Sequence, residues 1–183
     1  MTSARAETVF TASHIQEMLL AMAREVAQRH PQADGLALVG VRTGGAFLSR
    51  RLLSALGQVN GPAARHGVID ITLYRDDWTR LHSRPKVGKT EIEFSLDDKV
   101  VILVDDVLFT GRTVRAAMDA LIDFGRPCRI ELAVLIDRGH RELPIQPDYV
   151  GARLETSRRE VIDVLLTEAG ATVDEVVKRE LDQ

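Results

Sequence analysis

The sequence predicts an α/β domain wound around a mainly parallel sheet. Two observations carry this. Short, continuous apolar runs recur along the chain, as in "LALVGV" (36–41), "VVILV" (100–104) and "LAVLI" (132–136). A strand covered by helices on both faces reads as such an unbroken run, where a half-exposed strand would alternate. Between these runs lie stretches with helical spacing, and strands alternating with amphipathic helices build parallel βα units.

The elements follow in order. From Ser13, "SHIQEMLLAMAREVAQRH" places Ile15, Met18, Leu19, Met22 and Val26 on one helical face. Ser13 and Gln16 have the spacing of a capping box. After Pro31 and Gly35, "LALVGV" is a strand, "GVRTGG" (40–45) a loop, and "AFLSRRLLSAL" a helix. "GVIDITLY" (67–74) is the next strand. The polar stretch "RDDWTRLHSRPKVGKTE" has little periodicity and is long for a compact domain, so it is either a working loop or disordered. "KVVILVDD" (99–106) gives a third strand, "TVRAAMDALIDFG" a helix closed by Gly125, and "CRIELAVLID" a fourth strand opened by Cys128. The tail, "VIDVLLTEAGATVDEVVKREL", reads as a hairpin turning at Ala169–Ala171 in preference to a strand and helix. No repeat or composition shift divides the chain, so residues 1–183 are expected to form one domain.

With 45% apolar and 28% charged residues the composition is that of a globular protein. A net charge of −3 supplies no global field for polyanions, so any phosphate-binding site must be a local patch. One cysteine allows no internal disulfide framework. The N-terminal "MTSARAETVFTASH" lacks a secretory apolar core and no run is long enough to span a bilayer, so a cytoplasmic location without membrane contact is expected.

The chemistry concentrates in "VVILVDDVLFTGRT" (100–113), where an apolar strand runs into Asp105 and Asp106. In open α/β sheets ligands bind beyond the carboxyl ends of the strands. Thr110 and Thr113 offer hydroxyls, Gly111 permits close backbone approach, and the next helix presents unpaired N–H groups, which together make a phosphate cradle. Adjacent carboxylates are good acceptors for paired hydroxyls. Phosphate and diol together suit a ribose 5-phosphate. A Walker-type Mg²⁺ site is the main competitor. Its decoy, "SRPKVGKT" (83–90), has Ser83 where the first glycine is required, with no strand before it or helix after it. A receiver domain would carry its acids after the first strand.

The same stretch resembles the 5-phosphoribosyl-1-pyrophosphate (PRPP) signature of type I phosphoribosyltransferases. "DITLYRDD" (70–77), "VDDVLFTGRTVRAAMDALIDFGRP" (104–127) and "LAVLIDRGHRELPI" (132–145) are similar to the pyrimidine operon attenuation regulators that are also uracil phosphoribosyltransferases. The resemblance implies that family's fold, with a lid loop over about 74–91 and a small hood from about 137–160 plus the C-terminal tail. It implies synthesis of UMP and pyrophosphate from uracil and Mg²⁺-bound PRPP, with no metal held directly by the protein. Asp105 and Asp106 would be catalytic and hold the ribose hydroxyls. Val107, Leu108, Phe109, Thr110, Gly111, Arg112 and Thr113 would bind PRPP or nucleotide, with Thr110 to Thr113 taking the 5′-phosphate, and "GVRTGG", especially Thr43 and Gly44, would be the pyrophosphate loop. Arg84, Lys86 and Lys89 would be lid cations, and Asp137 and Arg138 would lie at the base.

The resemblance also implies a second activity, binding of pyrimidine operon leader mRNA under control of UMP or UTP, without affinity for DNA, and assembly as a homodimer or higher oligomer. Arg24, His140, Arg141 and Arg153 are the RNA candidates. Departures bear on both roles. The family's pyrophosphate loop usually reads Thr-Arg-Gly where this chain has Thr43-Gly44-Gly45, which removes a side-chain cation and points to slow turnover. Glu17, Leu20, Gln146 and Ala152 stand where the family tends to have arginine, threonine, arginine and lysine, a loss of phosphate contacts that would weaken RNA binding. An RNA-binding nucleotide sensor with little catalysis, or a transferase for another base, are the alternatives.

Overall fold

The computed structural model describes residues 6–31, 35–74 and 88–180. In chain order the elements are β1 (Glu7–Thr11), α1 (Ala12–Arg29), β2 (Leu36–Val41), α2 (Gly44–Gln58), β3 (Ala64–Ile69), β4 (Val100–Leu108), α3 (Arg112–Leu121), β5 (Arg129–Asp137), β6 (Tyr149–Arg153), β7 (Glu160–Leu165) and β8 (Glu175–Glu180). Five of the strands form a sheet in the order β3-β2-β4-β5-β6, every neighbouring pair parallel. The other three make a small antiparallel sheet, β1-β8-β7.

Every residue of β2 is buried, as its unbroken apolar run requires. On one face of the sheet α1 and α2 pack Ile15, Leu19, Leu48 and Leu52 against Leu38, Ile102 and Val104. On the other, α3 packs Val114, Ala117 and Leu121 against Val39, Val101 and Leu103. Each such side chain contributes on the order of 1.5–3 kcal/mol by leaving water. Ile162, Leu166 and Val176 join the first cluster, so the small sheet shares the core of the large one.

The C-terminal hairpin forms as expected, with β7 and β8 paired antiparallel and Gly170 in a left-handed turn. Other details differ from the sequence expectation. Helix α1 begins one residue early, at Ala12, and its cap is Thr11, whose backbone N–H donates to His14 Nδ1 at 3.2 Å, in place of Ser13 with Gln16. Strand β3 stops at Ile69, because the Asp70 carboxylate accepts from the Thr72 N–H (2.7 Å) and turns the chain. Strand β4 does not end at the acids but runs on to Leu108, held by pairing of Val107 and Leu108 with Ile136 and Asp137. Strands β1 and β6 were not anticipated, and β5 starts at Arg129, one residue after the exposed Cys128.

At the far end of the sheet, Tyr149 is fully buried and donates to Glu131 Oε2 at 2.6 Å. His30 Nε2 lies 2.8 Å from the same carboxylate oxygen and 3.1 Å from the Tyr149 hydroxyl. Burial works to raise the Glu131 carboxyl, but hydrogen bonds with Tyr149 and His30 outweigh it and hold the group below its ordinary range. Tyr149→Phe is expected to cost about 1–3 kcal/mol, because it strips one donor from a buried acceptor. A urea unfolding midpoint no lower than that of the parent protein would contradict this.

Candidate active site at the sheet's switch point

The chain leaves β2 toward β3 on one side, while β4 lies on the other, so the order of winding reverses between β2 and β4. A crevice opens at such a point beyond the carboxyl ends of the strands. From β2 comes the loop Thr43-Gly44-Gly45, which opens α2; from β4 come Asp105, Asp106 and the loop into α3. The topology therefore brings together two motifs that are some 60 residues apart in sequence.

The contact between them is close. A Cβ on Gly44 would lie 2.1 Å from Asp106 Oδ2, and one on Gly45 would lie 2.2 Å from the Val104 carbonyl. Gly40 is equally confined, against the Gly45 carbonyl and Ser49 Oγ, both 2.4 Å from a Cβ built there. Glycine at 40 lets the first turn of α2 sit on β2, and glycine at 45 lets it sit on the backbone of β4. The peptide between Arg42 and Thr43 is cis.

Both acids accept from the backbone amide that follows them, Asp105 Oδ1 from Asp106 (3.0 Å) and Asp106 Oδ1 from Val107 (2.7 Å). Asp105 is 5% exposed. Burial raises the Asp106 carboxyl above its ordinary value, against the opposing pull of the Val107 amide and the neighbouring Asp105. Raised carboxylates mark sites built to bind or to transfer protons.

Beyond the acids, residues 107–114 line a cavity of about 280 Å³. Gly111 adopts φ +91° as the N-cap of α3, and the helix's first turn opens onto this loop. The loop is stitched to the segment after β5. Arg138 N–H donates to the Leu108 carbonyl (3.1 Å) and Glu142 N–H to the Thr110 carbonyl (2.9 Å), and Arg112 Nε meets Glu142 Oε2 at 3.0 Å. Arg141 is the clasp. Its guanidinium donates to the carbonyls of Phe109 (2.9 Å), Gly139 (3.0 Å) and Ile145 (3.1 Å) and to Asp137 Oδ1 (2.5 Å). Arg138 lies over the Phe109 ring at 4.0 Å and donates to the Ser157 carbonyl, while His140 meets the same ring edge-on. Asp137 and Arg138 are both nearly buried and engaged with protein groups.

Of the proposed lid, only Tyr74 and residues 88–91 fall among the described residues; Arg84 and Lys86 lie outside them. The 88–91 segment is anchored to β3, where Val68 and Glu91 exchange backbone hydrogen bonds of 3.0 and 2.8 Å. Asp70 accepts from the Gly88 N–H. Burial works to raise the Asp70 carboxyl, but hydrogen bonds from Thr72 and Gly88 and the charge of Arg42 hold it below its usual range. Arg42 lies within "GVRTGG", where the sequence singles out Thr43 and Gly44 and gives Arg42 no role.

Of the RNA candidates, Arg24 and Arg153 are exposed, Arg141 is 13% exposed, and His140 is half-buried with Nε2 2.5 Å from the Thr156 carbonyl. Helix α1 and strand β6 adjoin, since a Cβ on Gly151 would stand 3.1 Å from Met18 Cβ. Glu17 and Gln146 are exposed, and Leu20 and Ala152 half-buried. No helix among the described residues is long and apolar enough to cross a membrane.

Comparison with known proteins identifies the family and the fold. The family model for the phosphoribosyl transferase domain matches residues 12–168. "Bifunctional protein PyrR" of Desulfosudis oleivorans is 57% identical over 155 residues, 84% of this chain and 86% of that one. The protein of the same name from Deinococcus radiodurans is 50% identical over 172 residues, 94% and 93% of the two chains. Among solved structures, the hypoxanthine phosphoribosyltransferase of Trypanosoma cruzi superimposes with a TM-score of 0.71 over 96% of this chain and 97% of its own. At 22% identity that likeness is one of fold.

Proposed function

The chain belongs to the phosphoribosyl transferase domain family, and from that premise we propose that it makes UMP and pyrophosphate from uracil and PRPP and also regulates pyrimidine genes by binding their leader mRNA. The observation that carries the first activity is the meeting of Gly44 with Asp106 beside a phosphate cradle at the switch point.

The cradle, Thr110 to Thr113 with the first turn of α3, takes the 5′-phosphate through backbone N–H groups and hydroxyls. Asp105 and Asp106 accept from the ribose 2′ and 3′ hydroxyls. As the bond at the anomeric carbon breaks, positive charge grows on the ribose ring, and the same carboxylates stabilise it where water is excluded. The loop Thr43–Gly45 offers backbone to the departing pyrophosphate. Mg²⁺ would arrive bound to the phosphates of PRPP, as part of the substrate. Mg²⁺ carried by PRPP supplies neutralisation of the leaving group's charge. Uracil fits beside the loop after β5, where Arg141 fixes the backbone of residues 137–145 against the cradle.

The regulatory reading rests on the double role carried in the relatives' name, "bifunctional". Helix α1 packs on β6 at Met18 and Gly151, and Arg24 of α1 and Arg153 of β6 are both exposed cations, which supports it. Arg141 contributes by holding the segment after β5 in place, through Asp137, Gly139 and Ile145. UMP or UTP, bound in the same pocket, is the effector, and a cytoplasmic homodimer or higher oligomer is part of the proposal.

Two assays test the pair. Incubation with uracil, PRPP and Mg²⁺ is expected to release pyrophosphate and form UMP, while hypoxanthine and orotate give none; absence of uracil-dependent pyrophosphate removes the enzyme. Filter binding to a pyrimidine leader transcript is expected to tighten with UMP, and affinity equal to that for an unrelated RNA removes the regulator.

A further inference from the structure

We infer that Arg42 is a positioning residue for pyrophosphate, tying the loop Thr43–Gly45 to the 88–91 segment. This rests on the PRPP reading above. Arg42 directly follows β2, and its N–H still pairs with the Ile69 carbonyl (3.0 Å). Its side chain turns back from the loop. Nη2 donates to the Lys89 carbonyl at 2.7 Å and lies 3.1 Å from Glu91 Oε1. The receiving segment is itself fixed, through the Val68–Glu91 pair, the Gly88 contact with Asp70, and a hydrogen bond of 3.1 Å from the Asp70 N–H to Thr90 Oγ1. Gly88 packs so closely that a Cβ there would stand 2.7 Å from Arg42 Cδ.

A chain of contacts results. The 88–91 segment holds Arg42, the next peptide bond leads to Thr43, and Gly44 rests on Asp106. The place of the pyrophosphate loop relative to the ribose acids is therefore set from outside the loop. Arg42 Nε is buried without a hydrogen-bond partner among the described residues. Such a donor costs stability and calls for a reason other than local packing. Arg42 is also a cation one residue from a loop in which Gly44 supplies none.

An exposed ion pair alone would be worth little, so the test separates the two cases. In Arg42→Gln the KM for PRPP and the inhibition constant for inorganic pyrophosphate are each expected to rise about tenfold or more. Binding of UMP, which lacks the pyrophosphate, the KM for uracil and the thermal midpoint should change little, the two constants staying within about twofold. Arg42→Lys, which keeps charge and one donor, should recover part of the loss. PRPP and pyrophosphate constants within about twofold of the parent overturn the inference. So does a loss of UMP affinity in the same proportion, which would mark a merely structural role. Parent protein that binds UMP but shows no Arg42 effect sinks the inference alone; parent protein that binds neither UMP nor PRPP sinks the phosphoribosyl reading and takes the inference with it.

Discussion

Asparagine at Asp105 or at Asp106 is expected to cut UMP formation by on the order of 10²–10³-fold, the cost of removing one preorganised electrostatic stabiliser. Both substitutions keep size and the hydrogen bond from the following amide, so the fold should survive. The double variant should lose less than the product of the single losses, because the two groups serve one cation-like centre. Asp106 adds a pH signature. Burial raises its carboxyl, so the ligand-free protein keeps this proton to higher pH than an ordinary carboxylate does. For stability the sign is that this contribution is present at low pH and is lost as pH rises through the folded-state value. For ligand the sign is opposite, because the ribose hydroxyls need an ionised acceptor. UMP affinity should therefore fall as pH drops through a range above that of ordinary carboxylates, with proton release on binding at the lower end. Calorimetry in two buffers of different ionisation enthalpy measures that release. In Asp106→Asn this limb of the pH profile should vanish; its persistence would assign the titration to another group.

The parts of this site legible in sequence are those whose signal is local. "LALVGV" and "VVILV" announce buried strands because every residue faces a covered surface. The acids with the Thr110–Thr113 loop announce a phosphate-and-diol site because one loop carries the whole cradle. Strands β1 and β6 are five residues each and, apart from the buried Tyr149, hold exposed and half-buried positions without clear alternation, so their pairing with β8 and β5 decides them. The extension of β4 past its acids has the same origin, since pairing with β5 outweighs the polarity of Asp105 and Asp106. In sequence Arg141 reads as an RNA candidate and Arg42 carries no role of its own. Their acceptors are mostly backbone carbonyls, which have no sequence signature, and only the folded chain shows that each guanidinium holds two segments together.

Gly44 and Gly45 should respond to alanine in different ways, although they are neighbours in one loop. At Gly45 the obstacle is the β4 backbone, with the Val104 carbonyl 2.2 Å and Asp105 Cα 3.0 Å from an added Cβ. The central strand is paired on both sides and cannot give way. Gly45→Ala is expected to destabilise the protein by about 1–3 kcal/mol, as overpacking does, at roughly 2–4 °C of Tm per kcal/mol for a chain of this size. At Gly44 the obstacle is the Asp106 side chain, with Oδ2 2.1 Å and Cγ 2.7 Å from an added Cβ, both of which rotation can move, and Asp106 Cβ at 3.0 Å. Gly44→Ala should keep most of its stability but swing the carboxylate away from the ribose, weakening UMP binding and slowing turnover. Gly44→Arg, which adds the cation that the resemblance leads one to expect, meets the same carboxylate at its Cβ. It is therefore expected to lower activity, and the sparse charge of this loop is the counterpart of the close approach between loop and acid. A faster Gly44→Arg enzyme would show instead that Asp106 has room to move without loss, and that the contact seen here is not the one the reaction uses.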